Sequence, residues 1–455
     1  MQQNQQQTGQ PDMKHVILLI SVVILGSCLG NLSQTALNAM FAGIADDFGV
    51  ETALGQWVTT LYMLVLGITV PAVTFLMRRF RLKSLVLGAL SLLFVGAVVD
   101  SLAVSFPLLI AGRVLQAVSA GVTMPMMISV TMTSFPPDRR ATVMGISGIA
   151  MGFAPNIGPT IGGWMIGWGG WRSFFVALAV CALVLIVAAA VCIQRKPCQD
   201  ANAKLDVLSL IASALGFGGL LLGFTDASSY EFASPLVWGP VLVGALFLAL
   251  FLLRQKRIDT PLIHLGIFES WRFRVSFWAS NTLFACYMGI TLVLPLFVEG
   301  QWGGTALEAG LSLLPGTVAA LVVNPLAGYL VDRIGARPVI TVGSVCLAAG
   351  AVSMAFIDES TPFWLIIVLQ GVRATGVSCL IGPLTSWGLA DLPHSIMTDG
   401  SSFSTAARQA CAALGTALMV FAITLLPGTA GYHAAFAVSG VFGVLTLVLA
   451  FAKVR

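Results

Sequence analysis

Charge is scarce in this 455-residue chain: Asp, Glu, Lys and Arg make up only 9% of it, against roughly a quarter in soluble domains. With 57% hydrophobic residues and a mean hydropathy of +0.94, that shortage excludes a soluble globule and places the chain in a membrane. Histidine is rarer still, and His15, His264, His394 and His433 lack the spacing of metal ligands, so no metal centre is expected. No P-loop Gly-x-x-x-x-Gly-Lys and no nucleophilic triad arrangement occurs. The expectation is therefore no enzyme, no cofactor and no ATP-driven pumping by this chain alone. A disulfide framework is excluded too. Cys28, Cys181, Cys192, Cys286, Cys346, Cys379 and Cys411 sit inside apolar runs, where cysteine acts as a small apolar residue, and Cys198 falls in a loop assigned to the cytoplasm. The net charge of +4 is spread over short loops rather than gathered on one face, so nucleic acid is not an expected partner.

The N-terminal MQQNQQQTGQPD is a polar low-complexity stretch, read as part of a disordered cytoplasmic tail over 1–14. It shows no basic segment ahead of a short apolar one and no small-residue cleavage site, so the first apolar run is read as a permanent span.

Long apolar runs are what the chain does have. Those able to cross a hydrocarbon core of roughly 30 Å lie near 15–42, 55–77, 84–104, 107–133, 141–168, 173–194, 207–225, 236–254, 274–298, 306–331, 338–357, 362–386, 402–427 and 432–452, giving fourteen spans. Cytoplasmic loops carry an excess of Lys and Arg, which tests the count. With the N-terminus inside, nineteen of the 23 basic residues fall on the inner side; only Arg172 falls outside, and Arg113, Arg373 and Arg408 lie within spans. Losing one span would invert every later loop, so both termini are expected in the cytoplasm. Two basic loops match in position: FLMRRFRLK (Phe75 to Lys83) joins spans two and three, and GYLVDRIGARP (Gly328 to Pro338) joins spans ten and eleven. The expected organisation is an N-terminal six-helix bundle over 15–194, a linker with two inserted helices over 195–273, and a C-terminal six-helix bundle over 274–455. Such repeats are typical of secondary transporters.

Within the spans, polar residues are the functional clues, because an arginine at the bilayer centre costs roughly 2.5–3.5 kcal/mol even on a lenient scale. Arg113 and Gln116 are one turn apart in span four and can share a face. Two readings stand: a buried cation that senses substrate or proton, or structural glue tied to Gln116 and backbone carbonyls. Arg373 and Arg408 are placed nearer the cytoplasmic ends, where they can snorkel or cap. Span one carries Asn31, Gln34, Thr35 and Asn38 at spacings of three and four, a polar stripe facing a central cavity. Tyr62, Asn281, Tyr287 and Asn324 are further cavity candidates. Met124 and its methionine neighbours give span four a pliable surface suited to varied ligands or to helix packing.

Span five reads GISGIAMGFAPNIGPTIGG from Gly145. Ala150, Ala154, Gly158 and Gly162 recur every four residues and give one face with almost no side chain, which lets helices approach closely in lipid, while Pro155 and Pro159 bend the helix. The face is either a static packing seam or a moving one.

These fragments together resemble the major facilitator superfamily, specifically its fourteen-helix drug:proton antiporter branch. GYLVDRIGARP matches the superfamily's loop signature, and AGRVLQAVSAG (Ala111 to Gly121) resembles its fourth-span motif. WVTTLYML resembles the branch's second span, TPLIHLGIF the approach to its ninth, and ARQACAALGTA its thirteenth. The span-five stretch resembles the exporter motif, with Ala154 where a glycine is usual. The resemblance implies an all-α polytopic membrane protein with the major facilitator fold: two six-helix bundles plus two inserted helices. It implies a moving seam of Gly145, Ala154, Gly158, Pro159, Gly162 and Gly163, and a latch of Asp332, Arg333 and Arg337 between the halves. In the first loop copy the acidic position is Arg78 and the glycine position Arg81, so that loop is read as an anchor for anionic lipid.

The function implied is alternating-access export of amphipathic or hydrophobic small molecules from the cytoplasm across the plasma membrane. A lipid or metabolite translocator and a transport-inactive sensor or assembly factor are the alternatives. Expected partners are the small-molecule substrate, membrane lipids and, if transport is coupled, protons; an accessory export partner is left open. Coupling is where the chain departs from the branch. Aligned through LSQTALNA, the usual span-one acid is Ser33. Asp46 and Asp100, placed near the outer mouth, are the first choices for a proton-binding carboxylate, with Arg113 responding to it.

Overall fold

The computed structural model describes residues 13–51, 55, 57–193, 205–227, 234–258 and 261–454, with the backbone alone described at residues 13, 14, 38, 41, 42, 306, 452 and 453. The tail over 1–12, Cys198 and the tip of the loop between spans seven and eight lie outside the described residues, as does the side chain of Asn38. Among the described residues all regular structure is helical.

The helices are α1 (Met13–Ala36), α2 (Phe41–Phe48), α3 (Trp57–Thr69), α4 (Ala72–Arg79), α5 (Leu82–Ser101), α6 (Phe106–Ser134) and α7 (Arg140–Cys192). Then come α8 (Val207–Asp226), α9 (Pro235–Gln255), α10 (Trp271–Gly300), α11 (Ala306–Ser312), α12 (Leu314–Ile334), α13 (Ala336–Met354), α14 (Phe363–Leu389), α15 (Met397–Leu425) and α16 (Thr429–Lys453). Twelve helices are long and apolar enough to cross a membrane. The pair α3 and α4, bent by 54° beside Pro71, forms a further broken span.

One helix counts twice. At 53 residues α7 would extend for about 80 Å, far beyond one hydrocarbon core. It is folded back at Gly169 and Gly170, whose backbone leaves the helical region, with φ 72° at Gly170. Such a φ suits glycine because no Cβ collides there. Beyond the turn, Arg172 donates to the Ala103 carbonyl at 3.1 Å and Lys83 donates to the Ala190 carbonyl at 2.6 Å. The second limb of α7 therefore runs antiparallel beside α5. With α7 taken as two crossings and the bent pair as one, the fourteen spans are restored.

Residues such as Arg78, Arg140 and Arg333 define one end of the bundle, called the basic face below. At the opposite face Arg172, the one basic residue left outside by the charge tally, is bound to Asp47 and lies 4.1 Å from the Trp171 ring. Arg172 and the Trp171 indole N–H hold the Asp47 carboxyl below the usual carboxylate range.

The inserted pair α8 and α9 meet backbone to backbone: a Cβ at Gly219 would lie 2.7 Å from the Pro240 carbonyl oxygen, and one at Gly216 3.0 Å from the Leu248 nitrogen. Small residues permit this approach, which dispersion then rewards in lipid. Helix α8 also touches both halves, through Gly218 against Ile68 of α3 and through the Phe217 ring 6.0 Å from Phe403 of α15.

Candidate functional site

A buried polar chain runs through the N-terminal half. Gly96 of α5 and Gly112 of α6 bring the two backbones together; a Cβ at Gly96 would sit 2.6 Å from the Gly112 carbonyl oxygen. The space left by Gly112 is filled by the Asp100 carboxylate, which has no solvent exposure. Gln116 donates through Nε2 to Asp100 Oδ2 at 2.7 Å, and its Oε1 accepts from Ser33 at 2.6 Å and from Arg113 Nη1 at 2.8 Å. Arg113 Nη1 also donates to the Ser33 hydroxyl at 2.7 Å, and Nε donates to the Val58 carbonyl at 3.3 Å. The guanidinium lies 4.2 Å from the Tyr62 ring, a cation–π contact, while the Tyr62 hydroxyl donates to the Gly30 carbonyl at 2.7 Å. Asp100 Oδ1 and Arg113 Nη2 have no hydrogen-bond partner among the described residues. One amide, that of Gln116, thus stands between an acid and a base in a fully buried site.

The structure separates the two carboxylates that the sequence paired as candidates. Asp100 lies near the end of α5 that Arg172 caps through Ala103, but it is fully buried inside this chain of contacts because the glycines of α5 and α6 admit it. Asp46 is exposed on the short helix α2. Ser33, read only as a missing acid, bridges α1 to Arg113 and Gln116.

A second polar group gathers between the halves. Asn324 of α12 packs on Gly148 and Gly152 of α7, the Tyr287 hydroxyl donates to the Gly152 carbonyl at 3.3 Å, and Asn156 Nδ2 donates to the same carbonyl at 2.9 Å. Both Asn324 side-chain polar atoms and Asn281 Oδ1 are buried without a hydrogen-bond partner among the described residues. Asn31 is turned onto its own helix, donating to the Ser27 carbonyl at 3.0 Å, and Gln34 and Met124 are buried.

The glycine face of α7 serves two neighbours. Towards the basic face it meets α12: a Cβ at Gly145 would lie 3.0 Å from Gly328 Cα, and the Asn324 carbonyl oxygen is closer still. Further along, Gly158 and Gly162 abut Thr35 and Ala36 of α1, inside the N-terminal half. Ala154 is buried, Pro159 is half-buried, and Gly163 faces open space, outside any seam. The four-residue periodicity is continuous in sequence, but α7 passes from one partner helix to another along it.

Two contacts clamp the halves at the basic face, and they are built with opposite charge. Asp332, at the end of α12, accepts from the Thr142 amide at 2.7 Å, the Thr142 hydroxyl at 2.5 Å and the Ala141 amide at 3.2 Å, so it caps the start of α7. Unpaired amides at a helix start favour an anion there. On the other side Arg78 of α4 donates to both oxygens of Asp399, each at 2.8 Å, in the first turn of α15. The His264 amide donates to the same carboxylate at 2.8 Å. Arg78 is therefore paired with Asp399 across the halves instead of being left to face lipid, which corrects its reading as a lipid anchor; the acid absent from its loop is supplied by the opposite helix. Arg333 lies over the Tyr329 ring at 5.3 Å, and Arg337 is exposed. A cavity of about 760 Å³ opens beside this clamp among Ile17, Ile24, Phe135, Arg139, Thr142 and Asp332.

Arg373 and Arg408 do not snorkel. Both are buried: Arg373 Nε donates to Gln370 at 2.9 Å, and Arg408 Nη2 donates to Thr405 at 3.0 Å. Gln370 was a missed partner, although its place one turn from Arg373 on the same helix was a readable signal.

Residues 23–416 match the Major Facilitator Superfamily. The chain is 32% identical over 445 residues to the uncharacterized MFS-type transporter YcnB of Bacillus subtilis, covering 95% of this chain and 94% of that one. It is 31% identical over 421 residues to the lincomycin resistance protein LmrB of Listeria monocytogenes, covering 91% and 88%. The solved structure of the proton:xylose symporter XylE superposes with a TM-score of 0.67 over 97% of this chain and 96% of that one, at 15% identity, a likeness of fold.

Proposed function

We propose drug export as the task of this chain, which belongs to the Major Facilitator Superfamily and is a multi-pass membrane transporter. The reading is a secondary active exporter of amphipathic or hydrophobic small molecules, working by alternating access and coupled to protons. It places the protein in the plasma membrane with both termini in the cytoplasm and the basic face inward. Kinship with a protein named for lincomycin resistance supports the substrate class.

The observation that carries coupling is the buried acid Asp100, held one side chain away from the buried base Arg113 by Gln116. An acid inside a bundle that can be neutral or charged is what proton coupling requires, and intramembrane acids mark such sites. With Asp100 charged, Gln116 donates to it and its carbonyl oxygen is aimed at Arg113. With Asp100 protonated, the carboxylic acid becomes a donor and the amide loses its strongest acceptor. Arg113 and Ser33 would then be released or re-paired, which links the proton to α1. Asp46, exposed and remote from this chain of contacts, has no such path.

The test is substrate-dependent proton movement in proteoliposomes for the natural protein, Asp100→Asn and Asp46→Asn. Asp100→Asn should abolish proton movement and Asp46→Asn should leave it intact. Substrate crossing at full rate with no proton flux in the natural protein would remove the antiporter assignment and leave facilitated export.

A further inference from the structure

Among the described residues the fully buried charges are Arg113, Arg373 and Arg408 against Asp100 and Asp399. Asp399 is committed to Arg78 and the His264 amide, and Asp100 is linked to Arg113 through Gln116. Two buried arginines therefore remain without an acid, and they are not alike. Arg373 is enclosed by Gln370 and the Tyr287 ring, 6.0 Å away. Arg408 instead borders a cavity between the halves, lined by Ile128 of α6, Ser276 and Ser280 of α10, Thr385 of α14 and Ser404 of α15.

We infer that Arg408 anchors a binding site for an anionic group, and that the exported amphipath places its carboxylate, sulfonate or phosphate there. The inference rests on the export reading and adds the charge of the substrate to it. A guanidinium cannot shed its charge as a lysine can, so a buried one needs compensation. Here it meets neutral groups: the Thr405 hydroxyl at 3.0 Å and the Phe284 ring at 5.3 Å. The cavity, about 10 Å³, is on the scale of a single water or one acid oxygen, and it is rimmed by hydroxyls. The Ser276 and Thr385 hydroxyls donate to the Leu384 and Ile381 carbonyls at 2.6 and 2.8 Å, while the Ser280 and Ser404 hydroxyls line the same cavity and, with the guanidinium, make a site of the right polarity for an oxyanion. The lining comes from α6 of one half and α10, α14 and α15 of the other, the position between repeats where alternating-access carriers hold their cargo. A cation placed in this cavity would meet only repulsion from Arg408. A free halide would satisfy the same chemistry, so the source must be separated by experiment.

The experiment uses the full-length protein in nanodiscs in sodium gluconate, titrated with naphthalenesulfonate, naphthyltrimethylammonium or chloride, with tryptophan fluorescence and thermal unfolding as readouts. The sulfonate should bind, the ammonium should not, and Arg408→Gln should weaken sulfonate binding by roughly ten- to a hundredfold, the loss of one buried charged hydrogen bond. Ser404→Val fills the cavity while keeping Arg408 in place and should weaken the sulfonate as well, which keeps the test valid if Arg408→Gln fails to fold. Equal affinity for both organic probes, or sulfonate binding unchanged in the folded variants, overturns the site. Binding of chloride through Arg408 without binding of the sulfonate overturns the substrate assignment and leaves a counterion site. Counterflow of the same probes in proteoliposomes separates this inference from the export reading. Sulfonate transport unaffected by Arg408→Gln sinks the anion site and leaves the export reading standing; transport of neither organic probe by the natural protein, with the sulfonate still bound through Arg408, counts against the export reading and against the exported amphipath as occupant, while the anion site stands.

Discussion

Each half of the molecule buries an arginine and a glutamine one turn apart on one helix, against a tyrosine ring. In the N-terminal half they are Arg113, Gln116 and Tyr62; in the C-terminal half Arg373, Gln370 and Tyr287. The order along the helix is reversed, and so is the completeness. Only the first set reaches a carboxylate, Asp100, while the second ends on its glutamine. A buried arginine alone can stabilise a bundle or attract an anion, but only an arginine wired to an acid can report a proton. On the proposed coupling, proton chemistry would therefore belong to the half that holds Asp100 and fixed positive potential to the other.

The largest effect should come from testing that asymmetry directly. Arg113→Gln removes charged hydrogen bonds worth roughly 1.5–3 kcal/mol each and strands Asp100, so coupled export should fall by more than about tenfold. Arg373→Gln should slow transport while leaving protons moved per substrate unchanged. Equal loss of stoichiometry in both variants, measured in proteoliposomes, would break the comparison.

Next in size are the glycines of α7. Gly145→Val drives a side chain into the Asn324 carbonyl and Gly328 between the halves, and overpacking of this kind costs roughly 1–3 kcal/mol. Transport should fail with each half still folded. Gly158→Val presses on Thr35 within one half and should lower thermal stability first, whereas Gly163→Val should be silent in both assays. A transport loss from Gly163→Val would show that this face too packs during the cycle.

The two latches should differ more modestly. The Arg78–Asp399 pair is an ion pair with Arg78 partly exposed, so raising ionic strength should loosen it. The Asp332 cap, made to amides and a hydroxyl, should respond less. Accessibility of cysteines introduced beside each latch would measure this, and the double variant Arg78→Asp with Asp399→Arg should restore closure lost in either single change.

The smallest expected effect lies at Asp206, where Arg254 at 2.9 Å and the Ser209 hydroxyl hold the carboxyl down to about 2. Because the folded value is below the ordinary one, the pairing is present above the ordinary carboxylate range and is lost as pH falls through about 2. Asp206→Asn should loosen the α8–α9 hairpin slightly at neutral pH and remove that acid sensitivity, read as hydrogen exchange in α8.

Much of the fold was legible because hydrophobic length is local information. The Gly169–Gly170 turn fell between two expected spans, and Pro71 sits where the second span breaks. The site was less legible because its contacts join distant positions. Hydropathy placed Asp100 near a mouth, but the two glycines that bury it, Gly96 and Gly112, are on different helices. Asp399 lay just ahead of the apolar run assigned to span thirteen, so its union with Arg78, 321 residues away, left no local trace. Periodicity found the small residues of span five but could not tell which partner helix each would meet.

The turn at Gly169–Gly170 has a mechanical consequence. It joins two membrane crossings with almost no slack, and Arg172 pins its far side to Asp47 and Ala103. The limb that bears against α12 therefore cannot slide along its own axis independently of the limb that bears against α5. Any displacement begun at the Asp332 end must travel as a tilt of the whole hairpin, with the double glycine as a stiff hinge pin, and the ends of both limbs away from the basic face must swing together.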